Sequence, residues 1–240
     1  MTVTNAVETT MIWGTVSGAS MVGMVISLLL SVVLPIFLGI FIYKKTKAWV
    51  PAFFIGCGIF VGFAMILEQI CHAIVLTVTG SAIRDNIWLY AIYGGLAAAL
   101  FEECGRWIAM KFCLKKHLTR ENALMYGAGH GGIEAFLILG MSSMSNLLTA
   151  AMINGGLMEK TRTALEPAQQ EVTYHQLSVL WTTPAYQFYL APVERISAIA
   201  LQIALSILVY SAVKTGRKLQ LAAAFGLHFA CLLYTSDAAD

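Results

Sequence analysis

Charge is what this sequence has least of. Only 12% of its 240 residues are Asp, Glu, Lys or Arg, whereas soluble domains carry about 25%. Hydrophobic residues make up 58%, and the mean hydropathy is +0.74. This composition excludes disorder, a coiled coil and an ordinary cytosolic enzyme. With 15 Lys+Arg against 13 Asp+Glu, the chain also lacks a dense basic face, so we expect no nucleic-acid partner.

Paired cysteine motifs and a basic leader are also missing. The cysteines at positions 57, 71, 104 and 113 lie within apolar stretches and show no C-x-x-C spacing, which argues against a disulfide framework. Residues 1–16 contain no Lys or Arg, so they do not resemble a cleaved signal peptide. We therefore expect the first apolar stretch to remain in the protein.

Long apolar runs are present instead. About 20 residues suffice to cross ~30 Å of hydrocarbon at 1.5 Å per residue. Five runs reach that length, and a sixth begins at Leu219; the five are residues 17–43, 49–78, 87–113, 122–151 and 192–213. The sequence thus predicts an all-α fold, a polytopic transmembrane helix bundle with about six spans.

The basic residues of the loops predict an orientation for this bundle. Ten of them follow spans one, three and five, and only three lie in the other loops. By the positive-inside rule, the N-terminus is outside and those three loops are cytoplasmic. We expect a multi-pass protein of a bacterial cell membrane, in contact with membrane lipids. The sequence indicates no oligomeric state.

Two further segments differ from the spans. Residues 154–191 are mixed and rich in aromatic side chains, which predicts a short helix in the headgroup layer or a partly re-entrant segment, with a lid over a site as the alternative. The last ten residues, CLLYTSDAAD, match the translation of a sequencing adapter. We therefore expect one integral membrane domain over residues 1–230, truncated in its sixth helix, and a non-native tail over 231–240.

Ionisable side chains within the predicted spans fall into two layers. Such groups cost at least ~2.5 kcal/mol each on insertion, so they normally face the bundle interior. Counting from the predicted cytoplasmic ends places Glu102, His130 and His228 roughly 16, 12 and 14 Å deep. An outer layer lies near the opposite face, where we expect Arg195 to pair with Glu68 or Glu194. That layer comprises Glu68, His72, Glu194 and Arg195.

The inner layer combines acids, an arginine and imidazoles at helical spacing. Arg106 is four residues after Glu102 and three after Glu103, so it can reach either carboxylate. If the two acids differ in ionisation, one of them suits general-base catalysis on water. His130 and Glu134 are four residues apart, on one helix face, and can converge on one ion.

A glycine cluster and a third helix complete this candidate site. Glycines at positions 127, 129, 131 and 132 surround His130, which predicts tight helix packing there. His228 offers a second imidazole. Two imidazoles, a carboxylate and a free glutamate are typical of catalytic zinc sites, so we predict a divalent metal, zinc, held by His130, Glu134 and His228. Alternatively each histidine is a packing residue, since H-E-x-x-H is absent.

Three motifs together resemble a known family. They are E-E-x-x-R at 102–106, G-x-G-H-G-G-x-E at 127–134 and G-L-H at 226–228. The pattern is similar to the YhfC family of intramembrane metalloproteases, grouped with the type II CAAX prenyl-protease and bacteriocin-processing superfamily. The resemblance runs from the first span to Ala230. It implies that Glu102 or Glu103 activates water, that Arg106 orients them, and that His130 and His228 bind the metal, with Glu134 as a ligand or its neighbour.

Three functions are therefore compatible with the sequence. The first is a zinc-dependent membrane endopeptidase that acts on membrane-embedded or lipidated peptides. The second is a non-catalytic membrane scaffold or chaperone, in which the polar cluster fixes helix packing. The third is a proton-coupled transporter with the same acids and histidine as its relay, although the sequence shows no internal repeat.

Overall fold

The computed structural model describes residues 13–162 and 164–234, and throughout these ranges the regular secondary structure is helical. The prediction of an all-α polytopic bundle is confirmed. The main helices are α1 (Gly18–Thr46), α2 (Pro51–Val78), α3 (Ile87–Cys113), α4 (Arg120–Asn154), α5 (Leu157–Arg162), α6 (Pro167–Thr182), α7 (Ala185–Thr215) and α8 (Lys218–Tyr234).

Five of the described helices are long and apolar enough to cross a membrane: α1, α2, α3, α4 and α7. Helix α8 is apolar but has only 17 residues. Local signals set several helix ends. The Asn86 side chain accepts hydrogen bonds from the Trp88 and Leu89 amides in the first turn of α3. The Thr119 side chain caps α4 by accepting from the Asn122 amide, and Gly216 ends α7 at φ 73°.

Only the first part of the predicted non-native tail lies within the described residues. Residues 231–234 form the last turn of α8, whereas 235–240 lie outside the described residues, so the non-native tail stays a prediction. Residues 1–12, for which a location on the outer side of the membrane was predicted, are also not among the described residues. All five cysteines are free in the structure.

The chain divides into two compact units. Of the described residues, the first comprises 13–30, 139–162 and 164–193, and its core contains Met24, Ile153 and Leu180. The Asn154 amide fastens the segment before α1, because its Nδ2 donates to the Val16 carbonyl and its Oδ1 accepts from the Val16 amide, both at 2.9 Å. The linker predicted over 154–191 contains α5 and α6, whose position relative to a bilayer stays a prediction.

Helix α7 begins at Ala185, seven residues before the predicted start of the span at Pro192. A proline inside a helix leaves the carbonyl four residues earlier without its usual amide partner. That carbonyl belongs to Phe188, and it accepts a hydrogen bond from the Ser27 hydroxyl at 3.1 Å. A side chain on α1 thus satisfies the group that Pro192 frees, and the helix continues through the proline.

Of the described residues, the second unit comprises 31–138 and 194–234, and its most deeply buried helical segment is the first part of α4, residues 120–135. A methyl group added at Gly129 would lie 1.9 Å from the Phe53 carbonyl oxygen of α2. A methyl group added at Gly127 would lie 2.7 Å from the Ile203 Cα of α7. A methyl group added at Gly132 would lie 2.5 Å from the Pro35 Cβ of α1. The tight packing predicted around His130 is confirmed.

Helix contact at Gly129 provides a test of this packing. Gly129→Ala should lower the free energy of unfolding by about 1–3 kcal/mol, because the added methyl meets backbone atoms, which cannot move aside as a side-chain end can. Thermal unfolding in detergent measures the loss. Gly58→Ala, also in a helix but with open space at its Cβ position, is the matched control. Equal stability of the two variants would contradict the packing described here.

Candidate metal centre

Three ligand-capable side chains from two helices of the second unit converge. Glu102 of α3 and His130 and Glu134 of α4 are buried, and one ligand atom of each lies within 4.8 Å of the others. His130 Nε2 is 2.9 Å from Glu102 Oε2. The four-residue spacing on α4 therefore aligns an imidazole and a carboxylate on the face that meets α3.

His228 of α8 joins this group through Glu103. Its Nδ1 lies 2.9 Å from Glu103 Oε1, and its Nε2 lies 3.9 Å from Glu102 Oε2. When Nδ1–H donates to Glu103, the neutral ring leaves a lone pair on Nε2, facing Glu102. A carboxylate that orients a histidine in this way is the usual partner of a metal-binding imidazole.

Arg106 is completely buried between the two carboxylates that precede it. Its Nε lies 3.2 Å from Glu103 Oε2, and its Nη2 lies 4.0 Å from Glu102 Oε2. Its Nη1 donates to the Gln202 carbonyl at 2.9 Å and to Ser206 Oγ at 2.6 Å. The predicted contact of Arg106 with both acids is present, and the guanidinium also connects α3 to α7.

Gln202 is the polar residue of this cluster that the sequence argument missed. Its Nε2 donates to Glu102 Oε2 at 3.0 Å and to Glu134 Oε2 at 2.7 Å, while its Oε1 accepts from Arg106 Nη2. Gln202 is uncharged, so it is not among the ionisable groups that mark the candidate site in the sequence. The available signal was the pair Gln202 and Ser206, two polar residues one turn apart within an apolar span.

The outer layer is partly paired as expected. Arg195 Nη2 donates to Glu194 Oε1 at 2.7 Å, which is one of the two predicted pairings. Arg195 Nη1 also lies 3.6 Å from Glu134 Oε1, so the two layers are connected at Glu134. Counting residues gives the axial position of a Cα atom and ignores the length of an arginine side chain. Glu68 pairs instead with His72, at 3.2 Å.

The donor set and the charge of the cluster suit a divalent cation. Its buried groups include three carboxylates, those of Glu102, Glu103 and Glu134, against the two guanidinium groups of Arg106 and Arg195. With neutral imidazoles the excess is negative, and a buried negative excess is stabilised by a bound cation. A cavity of about 110 Å³ borders Glu134, Gln202 and His228, which is enough room for several water molecules.

Removing the guanidinium tests whether Arg106 holds the acids in the interior. Arg106→Met should destabilise the protein by about 3–5 kcal/mol, because Glu102 and Glu103 would stay buried without their cation. The readout is the apparent Tm in detergent. The exposed Arg84→Met is the control and should change little. Adding Glu103→Gln to Arg106→Met should recover part of the loss, and no recovery would contradict the ion-pair account.

Two comparisons with known proteins identify the family of the chain. The YhfC intramembrane metalloprotease family matches residues 30–235 of the chain. The chain is 41% identical over 222 residues to a Bacillus subtilis (strain 168) protein named "Uncharacterized membrane protein YhfC", covering 89% of this chain and 83% of that protein. No solved structure matches. The family resemblance seen in the three motifs is confirmed, and the chain belongs to the YhfC intramembrane metalloprotease family.

Proposed function

We propose that this chain is a metal-dependent endopeptidase that hydrolyses peptide bonds of membrane-embedded or lipidated substrates. The observation that carries the proposal is the buried meeting of Glu102, His130 and Glu134, with His228 Nε2 beside them. Acid and imidazole groups inside an apolar bundle are costly unless they are paired or functional. The family to which the chain belongs supports the same chemistry.

His130, Glu134 and His228 would hold the metal, and zinc suits this imidazole and carboxylate set best. A divalent metal there supplies a Lewis acid that makes water nucleophilic near neutral pH and polarises the peptide carbonyl. The identity of the ion and the orientation of the site toward the cytoplasmic half of the bilayer belong to this proposal.

Glu102 is the group that takes the proton from the attacking water and returns it to the departing amine. Its Oε2 lies against His130 Nε2 and within 3.9 Å of His228 Nε2, so a water near both imidazoles is within its reach. Gln202 fixes Glu102 and Glu134 by donating to one oxygen of each. Glu103 and Arg106 act as positioning residues, because Glu103 orients His228 and Arg106 balances both acids.

A non-catalytic scaffold is the second candidate, and the hydrogen bonds of Arg106 favour it. This buried side chain binds Gln202, Ser206 and Glu103 and connects α3 with α7. A network of this kind fixes helix packing whether or not an ion is present. Metal content and turnover separate the two functions, because a scaffold requires neither.

Metal content and peptide hydrolysis of the purified protein provide the direct test. We expect about one divalent ion per chain by elemental analysis, and His130→Ala should reduce it to background. Glu102→Gln should keep the ion, since it leaves the three proposed ligands in place, but should lower hydrolysis about 10²–10⁴-fold. The exposed His175→Ala is the control. Folded wild-type protein without an ion would refute the peptidase, and metal loss in Glu102→Gln would make Glu102 a ligand.

Gln202 allows a finer test of the same site. Gln202→Leu removes the amide that bridges Glu102 and Glu134, so metal affinity should fall about 10–100-fold. Competition with a coloured chelator measures the affinity without any substrate. Gln187→Leu, at an exposed position of α7, makes the same chemical change away from the site. Unchanged affinity in Gln202→Leu would show that the bridge does not position the ligands.

A further inference from the structure

A second polar cavity in the same unit is not used by the proposed chemistry. It has a volume of about 270 Å³ and lies between α2 and α3, with Leu232 of α8 also in its wall. Glu68, Gln69 and His72 line it from α2, and Tyr90 and Tyr93 line it from α3. A pocket this small is below the usual size for a drug-like ligand and suits a single side chain or a small head group.

The polar groups of this cavity form a connected chain. His72 Nε2 lies 3.2 Å from Glu68 Oε1, and His72 Nδ1 lies 2.8 Å from the Tyr93 hydroxyl. Both contacts are satisfied by a neutral imidazole when Tyr93 donates to Nδ1 and Nε2–H donates to Glu68. The Glu68 carboxyl group is then held in a fixed orientation at the cavity, and the residue is 6% exposed.

The cavity extends along α3 toward the candidate metal centre. Its lining runs from Tyr90 to Ala98, which is roughly 12 Å of helix, and Ala98 is one turn, roughly 6 Å, before Glu102. An extended peptide advances ~3.3 Å per residue. A peptide whose reacting bond lies at Glu102 would therefore bring a side chain two to five residues away into this cavity.

The charge and the aromatic rings of the lining specify the group that fits. A Lys or Arg side chain within a bilayer costs about 2.5–3.5 kcal/mol on insertion, so a membrane-embedded peptide gains by placing its cation beside a counter-ion. Glu68 supplies a carboxylate, and the Tyr90 and Tyr93 rings border the same space, where a cation gains further from an aromatic face.

We propose that this cavity binds the ammonium or guanidinium group of a Lys or Arg side chain in the membrane-embedded peptide, with Glu68 as its counter-ion. The inference rests on the proposed function in one respect only, which is that a membrane-embedded peptide, the carrier of the cation, binds to this protein. A passage that holds nothing but water is the competing account, and it predicts no preference for charge.

Peptide binding to a variant that cannot turn over tests this proposal. The protein is full-length His130→Ala in detergent, and the probes are fluorescent transmembrane peptides of about 20 residues that differ at one scanned position, Lys, Met or Glu. At one position or more, the Lys peptide should bind about tenfold more tightly than the Met peptide and still more tightly than the Glu peptide.

Substitution of the counter-ion should abolish that preference. Glu68→Gln should reduce the Lys-to-Met ratio to below about twofold, whereas Glu121→Gln, the same change in the first turn of α4, should leave it at about tenfold. Equal binding of all three peptides at every position overturns the proposal. Equal loss for all three peptides in Glu68→Gln overturns it as well, because that result describes a structural or water-filled cavity.

Two further measurements keep the test decisive if Glu68→Gln does not fold. Tyr93→Phe removes only the hydroxyl that holds His72, and it should lower the Lys-to-Met ratio by about half or more. Millimolar n-butylamine should displace the Lys peptide, whereas n-butanol should not. Displacement by both compounds or by neither would contradict binding of the cation in this cavity. Because no hydrolysis is measured in this test, a charge preference together with folded wild-type protein that contains no metal would refute the peptidase alone. Wild-type protein with metal and turnover, but no charge preference in the binding test, would refute this inference alone.

Discussion

The ion pairs of Arg106 are the interaction on which the rest of the second unit depends. Two adjacent glutamates in an apolar helix would repel each other and lose their hydration, and a buried guanidinium 3.2 Å from one and 4.0 Å from the other offsets both effects. The same side chain binds Gln202 and Ser206 of α7. The group that makes the acids tolerable inside the membrane therefore also fixes the position of α7 against α3, and with it the amide that orients Glu102 and Glu134.

Close helix packing brings the polar side chains of this network within hydrogen-bonding distance of one another. The glycines on both sides of His130 let α1, α2 and α7 approach α4 so closely that a methyl group at those positions would overlap atoms of the neighbouring helices. His130 has no exposed surface, and its ring lies against the side chains of Glu102, Phe60 and Tyr126. An imidazole in such surroundings has few rotamers available, which is the preorganisation that a ligand or a catalytic group requires.

The spans and the convergence of three site residues follow from the sequence, but the partners of each side chain do not. Hydropathy located α1 to α4 to within a few residues, and residue counting brought Glu102, His130 and His228 to one level of the bundle, where their side chains lie close together. The rotation of each helix about its axis is set by packing, which a single sequence does not record. For that reason the pairing of Glu103 with His228 and the bridge made by Gln202 are visible only in the structure. The same holds for the hydrogen bond from Ser27, a residue distant in sequence, to the Phe188 carbonyl in the early part of α7.

The adjacent glutamates have different partners because of helix geometry alone. Successive residues of an α-helix point about 100° apart, so Glu102 and Glu103 face different neighbours of α3. Glu102 meets His130 of α4, and Glu103 meets His228 of α8, each at 2.9 Å. One dipeptide thus gathers imidazoles from two helices that lie far apart in the sequence. The two acids are not equivalent, because only Glu102 lies beside both imidazole Nε2 atoms, while Glu103 is occupied by the Nδ1 of His228 and by Arg106. An adjacent pair of acids can in this way divide catalysis and positioning between them.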